Sequence, residues 1–260
     1  MKDKNLILAT DLDGTFLGGS HDQRSALYRW LENNRRSIGL IFVTGRDPRF
    51  IEQLCHDDAV PWPDYVVGDV GTTIAEVIST PSSNGATPPK TVQPLARLEA
   101  EIASLWNDAG SAIRALLDGL PGLTLQNTPF RYRVSYDFDP EKYDGRAEQL
   151  VKQEGYDVLI SDNRYFDVLP PNVSKGPSLK RLLQHLDIGD ETVLVAGDTL
   201  NDFSLFETGL RGVAVSNSEP ALIERLGPIA SAYKASLPGA GGIAEAIGHY
   251  KFAEQLEAIN

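Results

Sequence analysis

Sulfur-containing residues are scarce in this chain, which has one cysteine and one methionine among its 260 residues. A single cysteine excludes a disulfide bond within the chain, and we interpret Cys55 as a small buried helix residue. Because structural disulfides belong to oxidising compartments, this composition is consistent with a reducing one. We therefore expect a cytoplasmic protein.

Long apolar runs are also lacking, and no stretch approaches the length needed to cross a bilayer. The first residues, Met1-Lys2-Asp3-Lys4, are basic enough to begin a signal peptide. Asp11, however, interrupts the apolar segment that follows, so the pattern argues against a cleaved leader. We expect no membrane partner.

Basic residues are outnumbered, with 24 Lys and Arg against 36 Asp and Glu, for a formal net charge of −12. No basic run of useful length occurs, so a nucleic-acid-binding surface is not expected. An anionic substrate would be repelled at long range. Any phosphate site must therefore be locally positive, through a metal ion, a lysine or helix N-termini.

Short apolar runs alternate with amphipathic helical segments at both ends of the chain. The runs at residues 6–10, 39–44, 64–68, 192–196 and 212–215 resemble buried strands, and helical periodicity follows at 22–36, 177–186, 220–226 and 243–256. This alternation predicts an α/β fold with a Rossmann-like, doubly wound parallel sheet as its core.

The middle of the chain has a different pattern. Residues 79–94 are rich in Pro, Ser, Thr and Gly, which is typical of a domain boundary. Helical periodicity over 95–120, which Gly110 divides, and over 143–154 is combined with alternating strands at 131–138, 156–161 and 165–169. We predict a core at residues 1–80 and 171–260, and a smaller inserted α+β cap domain at 81–170.

Two carboxylates one residue apart, Asp11 and Asp13, follow the first apolar run. The carboxyl end of a parallel strand is where open α/β sheets bind ligands. Carboxylates this close repel each other, so they favour a bound cation or a shared proton. An EF-hand loop is excluded by the residues that follow, whereas a simple polar strand end remains the structural alternative.

Other polar clusters follow at three further positions: Thr44 after the second strand, Lys175 before a helix, and Asp198, Asn201 and Asp202 after a later strand. In a parallel sheet all of them would meet at one edge, where they suit phosphoryl transfer through a divalent metal. Each has a local alternative. Thr44 could bond locally, Lys175 could be solvated, and Asn201 and Asp202 could cap a helix.

This set of motifs, in this order, resembles the haloacid dehalogenase-like phosphatase superfamily. The matching segments are Asp11-Leu12-Asp13-Gly14-Thr15, Thr44-Gly45-Arg46, Ser174-Lys175-Gly176 and Gly197-Asp198-Thr199-Leu200-Asn201-Asp202. The resemblance implies that Asp11 attacks phosphorus and becomes an aspartyl phosphate. It also implies that Asp13 protonates the leaving alcohol and then takes a proton from the hydrolytic water.

The same resemblance assigns the remaining motif residues. Thr44, the Gly45 amide and Lys175 would contact the phosphate. Arg46 would either anchor the phosphate or form a structural ion pair, and Asn201 would bind phosphate or help to complete the metal's coordination. Mg²⁺ is the implied cofactor, held by metal ligands that the resemblance places at four positions: Asp11, the Asp13 carbonyl, Asp198 and Asp202.

The insertion lies between the second and third motifs, which resembles the large-cap (type IIB) subfamily. Within it, Asp69-Val70-Gly71-Thr72-Thr73-Ile74 and Tyr132-Arg133-Val134-Ser135-Tyr136 are most similar to sucrose-phosphate phosphatases, although Arg133 replaces a lysine. Relatives act on other glycosyl phosphates, including mannosylfructose phosphate and mannosylphosphoglycerate. Candidate sugar contacts in the cap are Arg131, Arg133, Tyr136 and Asn163. We interpret Trp62 and Trp106 as core or interface residues.

The sequence thus predicts a Mg²⁺-dependent phosphatase that hydrolyses a phosphorylated sugar, such as sucrose 6-phosphate or a related glycosyl or hexose phosphate. Two alternatives remain. One is a phosphomutase or dehalogenase on the same fold, although Asp13 argues against a dehalogenase and the cap position against a mutase. The other is a catalytically silent sugar-phosphate-binding partner of a synthase, against which the presence of Asp11, Asp13 and Asp198 argues. The oligomeric state is not predicted.

Overall fold

The structure, a computed structural model, describes residues 1–57, 60–79 and 89–255. The chain divides into two compact units. Residues Met1–Leu95 and Lys175–Asn260 form the first, which we call the core unit. Residues Ala96–Ser174 form the second, which we call the inserted unit.

The core unit begins with strands and helices in alternation and ends its first part with an antiparallel hairpin. These elements are β1 (Leu6–Thr10), α1 (His21–Asn33), β2 (Ile38–Val43), α2 (Pro48–Asp57), β3 (Tyr65–Gly68), β4 (Thr73–Ser79) and β5 (Lys90–Pro94). Every residue of β1 and β2 is buried, as expected for strands covered on both faces. Ser20 begins α1 with a capping box, in which its hydroxyl accepts from the Gln23 amide.

The inserted unit contains an antiparallel sheet and three helices. In chain order its elements are α3 (Ala96–Trp106), α4 (Gly110–Leu117), β6 (Leu123–Leu125), β7 (Val134–Phe138), α5 (Arg146–Gln153), β8 (Asp157–Ser161) and β9 (Tyr165–Leu169). The strand order is β6-β7-β9-β8. The unit has its own apolar core, in which Trp106, Ile113, Val134 and Phe166 are buried.

The core unit resumes with the second half of its sheet. Its remaining elements are α6 (Lys175–His185), β10 (Val193–Gly197), α7 (Phe203–Glu207), β11 (Arg211–Ala214), α8 (Pro220–Arg225), β12 (Ala232–Lys234) and α9 (Gly239–His249). A short 3₁₀ turn, Leu200–Asp202, precedes α7.

The core sheet has the strand order β12-β11-β10-β1-β2-β3-β4-β5. The six strands from β12 to β3 are parallel, whereas β4 pairs antiparallel with both β3 and β5. The chain proceeds outwards from β1 in both directions, so the order reverses between β1 and β10. This switch point is where doubly wound sheets bind ligands. The predicted fold class, a doubly wound parallel core with an inserted α+β domain, is confirmed.

Several predicted boundaries differ from those observed. The core unit continues to residue 95, instead of ending at 80, because β5 pairs with β4 through Pro94 despite the proline-rich composition. Its second part begins at Lys175 instead of 171. The linker residues 80–88 lie outside the described residues. Strands β6 and β12, each of three residues, were not predicted. The predicted division of the helical segment near Gly110 is observed, because α3 ends at Trp106 and α4 begins at Gly110.

Within the described residues, no helix combines the length and apolar character that a bilayer crossing requires.

Candidate active site

The loop after β1 carries the first pair of carboxylates. Asp11 leaves the strand in an extended conformation, and residues 12–16 form a tight turn in which Gly14 has φ +79°. A Cβ atom at position 14 would lie 2.2 Å from Oδ2 of Asp198. Glycine is therefore required here both for the positive φ and for the close approach of two strand ends.

Lys175, the first residue of α6, connects three residues of the site. Its ammonium donates hydrogen bonds to Oδ1 of Asp11 at 2.8 Å, Oδ1 of Asn201 at 2.7 Å and Oδ1 of Asp202 at 2.6 Å. The lysine is 1% exposed. All three of its donor positions are thus directed at the predicted site residues, and Lys175 is not a solvated loop lysine.

Asp198 and Asp202 are held by the turn that follows β10. Oδ2 of Asp202 accepts from the amides of Asp198 at 2.9 Å and Thr199 at 3.1 Å, so this carboxylate also closes the turn. Oδ1 of Asp198 accepts from the Thr15 hydroxyl at 2.6 Å. Hydrogen bonds therefore fix both carboxylates from the protein side.

Three carboxylates, those of Asp11, Asp198 and Asp202, surround one cation, Lys175, and the pKa values of these groups are shifted. Burial, opposed by the Lys175 charge, holds the pKa of Asp11 well above its ordinary value. Burial, followed by repulsion from Asp202, raises the pKa of Asp198 to about 7. Burial alone would lower the pKa of Lys175. The attraction of its ammonium group to Asp11 and Asp202 outweighs the effect of burial, so the pKa of Lys175 is raised. Lys175 is therefore charged at neutral pH.

Among the described residues, Asp11, Asp198 and Asp202 form a group that could hold a metal ion, with one oxygen from each lying within 4.8 Å of the others. Carboxylate oxygens are the ligands that Mg²⁺ prefers. Their mutual repulsion, which adds to burial in raising the pKa of Asp198, would be offset by a divalent cation. The donor set present therefore fits a hard divalent metal ion.

Asp13 lies apart from this group and pairs with the neighbouring strand end. Arg46 donates to both of its oxygens, from Nε at 3.0 Å and from Nη2 at 3.2 Å. The guanidinium also lies over the Phe50 ring, 4.6 Å from its centroid. Of the two alternatives for Arg46, the structure contains the ion pair. Both side chains are about half exposed, so neither is locked by burial.

Thr44 directly follows β2, the strand that pairs with β1, and is 1% exposed. Its Oγ1 accepts from the Arg46 amide at 3.1 Å, and its amide donates to the Val67 carbonyl at 2.8 Å. The local bonding alternative for Thr44 is thus present in the structure, together with its position at the ligand-binding edge.

The structure brings Asp11, Lys175, Asn201, Asp202 and Asp198 into one hydrogen-bonded or charge-coupled group. Two supporting residues were not predicted. Thr15 bonds Asp198, and Asn217 donates from Nδ2 to the Gly14 carbonyl at 3.0 Å while its Oδ1 accepts from the Gly239 amide at 2.9 Å. Thr15 is part of the first motif, but no sequence signal marks Asn217.

The inserted unit has a polar pocket of about 280 Å³, with a lining that includes Arg114, Gln126, Asn127, Arg133 and Ser135. Both Arg133 and Ser135 donate hydrogen bonds to the buried carboxylate of Asp167. The arginine donates from Nη1 at 3.4 Å, and the serine donates from its hydroxyl. The Arg133 guanidinium also stacks 3.4 Å from the centroid of the Phe130 ring. The pocket therefore presents a fixed guanidinium and a hydroxyl.

Only one of the four candidate sugar contacts lines this pocket, and that residue is Arg133. Arg131 pairs with Glu99, and Tyr136 belongs to the apolar core of the inserted unit, where burial raises its pKa to about 12. Asn163 is an exposed turn residue with φ +48°. Trp106 is buried in the same core, as predicted.

A doubly wound sheet, an insertion after the second motif, and a buried lysine that bridges two motif aspartates together define a haloacid dehalogenase-like protein. A family model places the chain more narrowly. Residues 4–251 match the model of sucrose-6F-phosphate phosphohydrolase. The chain belongs to this family.

Two relatives are longer proteins, and this chain matches a part of each. It is 36% identical over 252 residues to a glucosylglycerol-phosphate synthase of Pseudomonas anguilliseptica, covering 95% of this chain and 31% of the synthase. It is 30% identical over 272 residues to a probable sucrose-phosphatase of Arabidopsis thaliana, covering 96% of this chain and 61% of that protein. The chain thus spans less than two thirds of either relative.

A solved structure matches over nearly the whole of both chains. The sucrose-phosphatase from Synechocystis sp., determined in complex with sucrose and phosphate, is 28% identical and has a TM-score of 0.81. The match covers 95% of this chain and 98% of the other. The similarity therefore includes both the core unit and the inserted unit.

Proposed function

We propose that this chain is a Mg²⁺-dependent phosphatase that hydrolyses a glycosyl phosphate monoester through an aspartyl-phosphate intermediate. The observation that carries the proposal is the buried Lys175 ammonium, which bonds both Asp11 and Asp202 beside Asp198. In such a site, at the switch point of the sheet, the Lys175 cation can offset the negative charge of a phosphoryl group while the Asp11 carboxylate attacks its phosphorus atom.

In the first step, an oxygen of Asp11 forms a bond to phosphorus as the bond from phosphorus to the sugar oxygen breaks. Asp13 gives its proton to that sugar oxygen, so the alcohol leaves neutral. In the second step, Asp13 takes a proton from water, and the water oxygen attacks phosphorus. The bond from phosphorus to the Asp11 oxygen breaks, which releases inorganic phosphate and restores the Asp11 carboxylate.

Thr44 and the Gly45 amide would hold phosphate oxygens, and Lys175 would offset the charge that accumulates on them. The ion pair with Arg46 would keep the Asp13 carboxyl turned towards the same strand edge. Asp11, Asp198 and the Asp13 carbonyl would hold Mg²⁺, with Asp202 and Asn201 nearby. The ion would supply positive charge against the phosphoryl oxygens.

The inserted unit would act as the cap and recognise the sugar. Arg133 donates and the Ser135 oxygen accepts, and both kinds of group are needed to bind sugar hydroxyls. Candidate substrates are sucrose 6-phosphate, from the name of the family, and glucosylglycerol phosphate, from the name of the synthase.

The test is phosphate release from a panel of substrates, each with Mg²⁺ and with chelator. The panel holds sucrose 6-phosphate, glucosylglycerol phosphate, mannosylfructose phosphate, mannosylphosphoglycerate, common hexose phosphates and p-nitrophenyl phosphate. We expect one glycosyl phosphate to exceed the others and all activity to vanish with chelator. Absence of phosphate release from every ester contradicts the proposal, and isomerisation of glucose 1-phosphate without release indicates the mutase alternative.

A second candidate function is a phosphatase-like module that works with a synthase. The observation that favours it is the match to a glucosylglycerol-phosphate synthase of which this chain spans only 31%. A silent module would bind the sugar phosphate in the panel experiment without releasing phosphate. The intact Asp11, Lys175 and Asp202 network favours the active enzyme.

A further inference from the structure

The turn between β3 and β4 contains three consecutive residues with left-handed backbone conformations. Asp69 has φ +52°, Val70 has φ +59° and Gly71 has φ +104°. Asp and Gly adopt positive φ with little strain, whereas a β-branched valine rarely does so. Such conformations persist only when the surrounding structure fixes them, and they are concentrated at functional sites.

The turn is fixed on the side of the Thr44-Gly45-Arg46 loop by two backbone hydrogen bonds. The Asp69 amide donates to the Arg46 carbonyl at 3.0 Å, and the Val70 amide donates to the Thr44 carbonyl at 3.1 Å. A Cβ atom at Gly45 would also contact the Val70 side chain at 3.8 Å. The left-handed residues are therefore the ones that hold this loop.

The turn is fixed on its other sides by three hydroxyl groups. Thr73 donates to Oδ2 of Asp69 at 2.6 Å, and Thr72 donates to the Asp69 carbonyl at 3.0 Å. The fully buried Ser178 of α6 donates to the Gly71 carbonyl at 2.7 Å. Because α6 begins with Lys175, the turn links the helix that carries the lysine to the loop that carries Thr44.

We propose that Asp69 is a positioning residue for phosphate binding. Its turn sets the Thr44-Gly45-Arg46 loop at a fixed distance from Lys175, so that both can contact one phosphate group. Asp69 does not touch the substrate, and its carboxylate acts through Thr73 and through the left-handed backbone. This inference rests on the proposed function, in which the Thr44 loop and Lys175 bind phosphate.

The test is calorimetric binding of inorganic phosphate in saturating Mg²⁺, with Mg²⁺ binding measured separately. We expect Asp69→Ala to weaken phosphate binding about tenfold, because a misplacement of about 1 Å can cost roughly 10²-fold and the loop should move by less than that. Mg²⁺ affinity should not change, since Asp11, Asp198 and Asp202 are not bonded to the turn. Asp69→Asn is the matched control, because Asn also favours positive φ and can accept from Thr73.

A double-mutant cycle with Thr44→Val separates positioning from general structural damage. If Asp69 acts through the loop, Asp69→Ala should weaken phosphate binding much less in the Thr44→Val background than in the wild type. Additive effects overturn the proposal, and so does an equal loss of phosphate and Mg²⁺ binding.

Thr73→Val removes only the hydroxyl that donates to Asp69. This variant replaces Asp69→Ala in the experiment if Asp69→Ala does not fold. It should weaken phosphate binding in the same direction by a smaller factor, and unchanged binding overturns the inference. Inorganic phosphate is the probe, so no sugar specificity is involved. If the wild type does not bind phosphate, the proposed function is contradicted. If the wild type and Asp69→Ala bind phosphate equally, only the role of Asp69 is contradicted.

Discussion

Each unit of the molecule contains a buried cation paired with carboxylate, but the charges balance in only one of them. In the inserted unit, one arginine, Arg133, pairs with one buried aspartate, Asp167. In the core unit, Lys175 pairs with Asp11 and Asp202, and Asp198 lies beside them. All of these residues are less than a tenth exposed.

This difference in charge balance indicates which kind of ligand each unit favours. Excess negative charge in the core unit is costly without a further cation, so the donor set there favours a divalent metal ion. The balanced pair in the inserted unit needs no ion. It leaves a rigid polar surface that suits the hydroxyl groups of a neutral sugar.

The largest effect should come from Asp11→Asn, because the amide cannot form the aspartyl phosphate. We expect phosphate release to fall by more than about 10⁴-fold, as is common when a nucleophile is lost. Thermal unfolding should show an intact fold, and Asp187→Asn, at an exposed position, is the matched control. Substantial phosphate release by Asp11→Asn would contradict the proposed mechanism.

Lys175→Met tests whether the lysine compensates the core carboxylates. Its removal leaves Asp11 and Asp202 buried without their cation, which should lower the free energy of unfolding by about 3–5 kcal/mol in the absence of metal. Urea unfolding at pH 8 with and without Mg²⁺ measures this, and Mg²⁺ should restore part of the loss.

Lys180→Met is the control for that variant, because Lys180 lies on the same helix and pairs with the more exposed Asp190. A surface pair of this kind contributes at most about 1 kcal/mol. Equal destabilisation by the two variants contradicts the role assigned to Lys175.

Arg133→Met removes the cation of the balanced pair and should act on sugar recognition. Loss of a charged hydrogen-bond donor weakens binding by about 1.5–3 kcal/mol, so KM for the preferred glycosyl phosphate should rise roughly 10- to 100-fold. Hydrolysis of p-nitrophenyl phosphate should not change. Arg131→Met is the control, and a matching loss on both substrates refutes a role in sugar recognition.

The smallest effect concerns pH, through Asp198. Burial and Asp202 raise the pKa of this carboxyl to about 7, so below that pH a proton competes with metal. Protonation of Asp198 should lower Mg²⁺ affinity, measured by calorimetry, by up to about tenfold per pH unit below pH 7, and protonation of Asp11 adds to this loss. The Thr15 hydrogen bond lowers this pKa, so Thr15→Val should move the threshold to higher pH. A pH-independent affinity contradicts the assignment.

The sequence predicted the core and its motifs because an apolar run that ends abruptly in Asp or Thr marks both a buried strand and its carboxyl end. It placed Asp11 and Thr44 correctly at strand ends. It did not predict β5, because proline-rich composition concealed a strand whose pairing with β4 depends on the tertiary fold. Nor could it choose between the two roles of Arg46 before the pairing with Asp13 was seen.

Contacts between distant residues were beyond sequence reasoning. Asn217 bonds the Gly14 carbonyl from 203 residues away, and no local pattern marks it. In the inserted unit, alternation predicted β7 but not which of its side chains faces the apolar core. Tyr136 therefore proved to be a core residue, while Asp167, a strand aspartate without motif context, holds Arg133.

The central claim is that Asp11, held by Lys175 in an over-charged core site, accepts the phosphoryl group. Acid quenching during turnover of the best substrate, followed by proteolysis and mass spectrometry, tests it most directly. The account predicts a phosphoryl group on the peptide containing Asp11, absent without Mg²⁺ and absent in Asp11→Asn. Steady phosphate release with no phosphorylated peptide, or with the group on another residue, would contradict it.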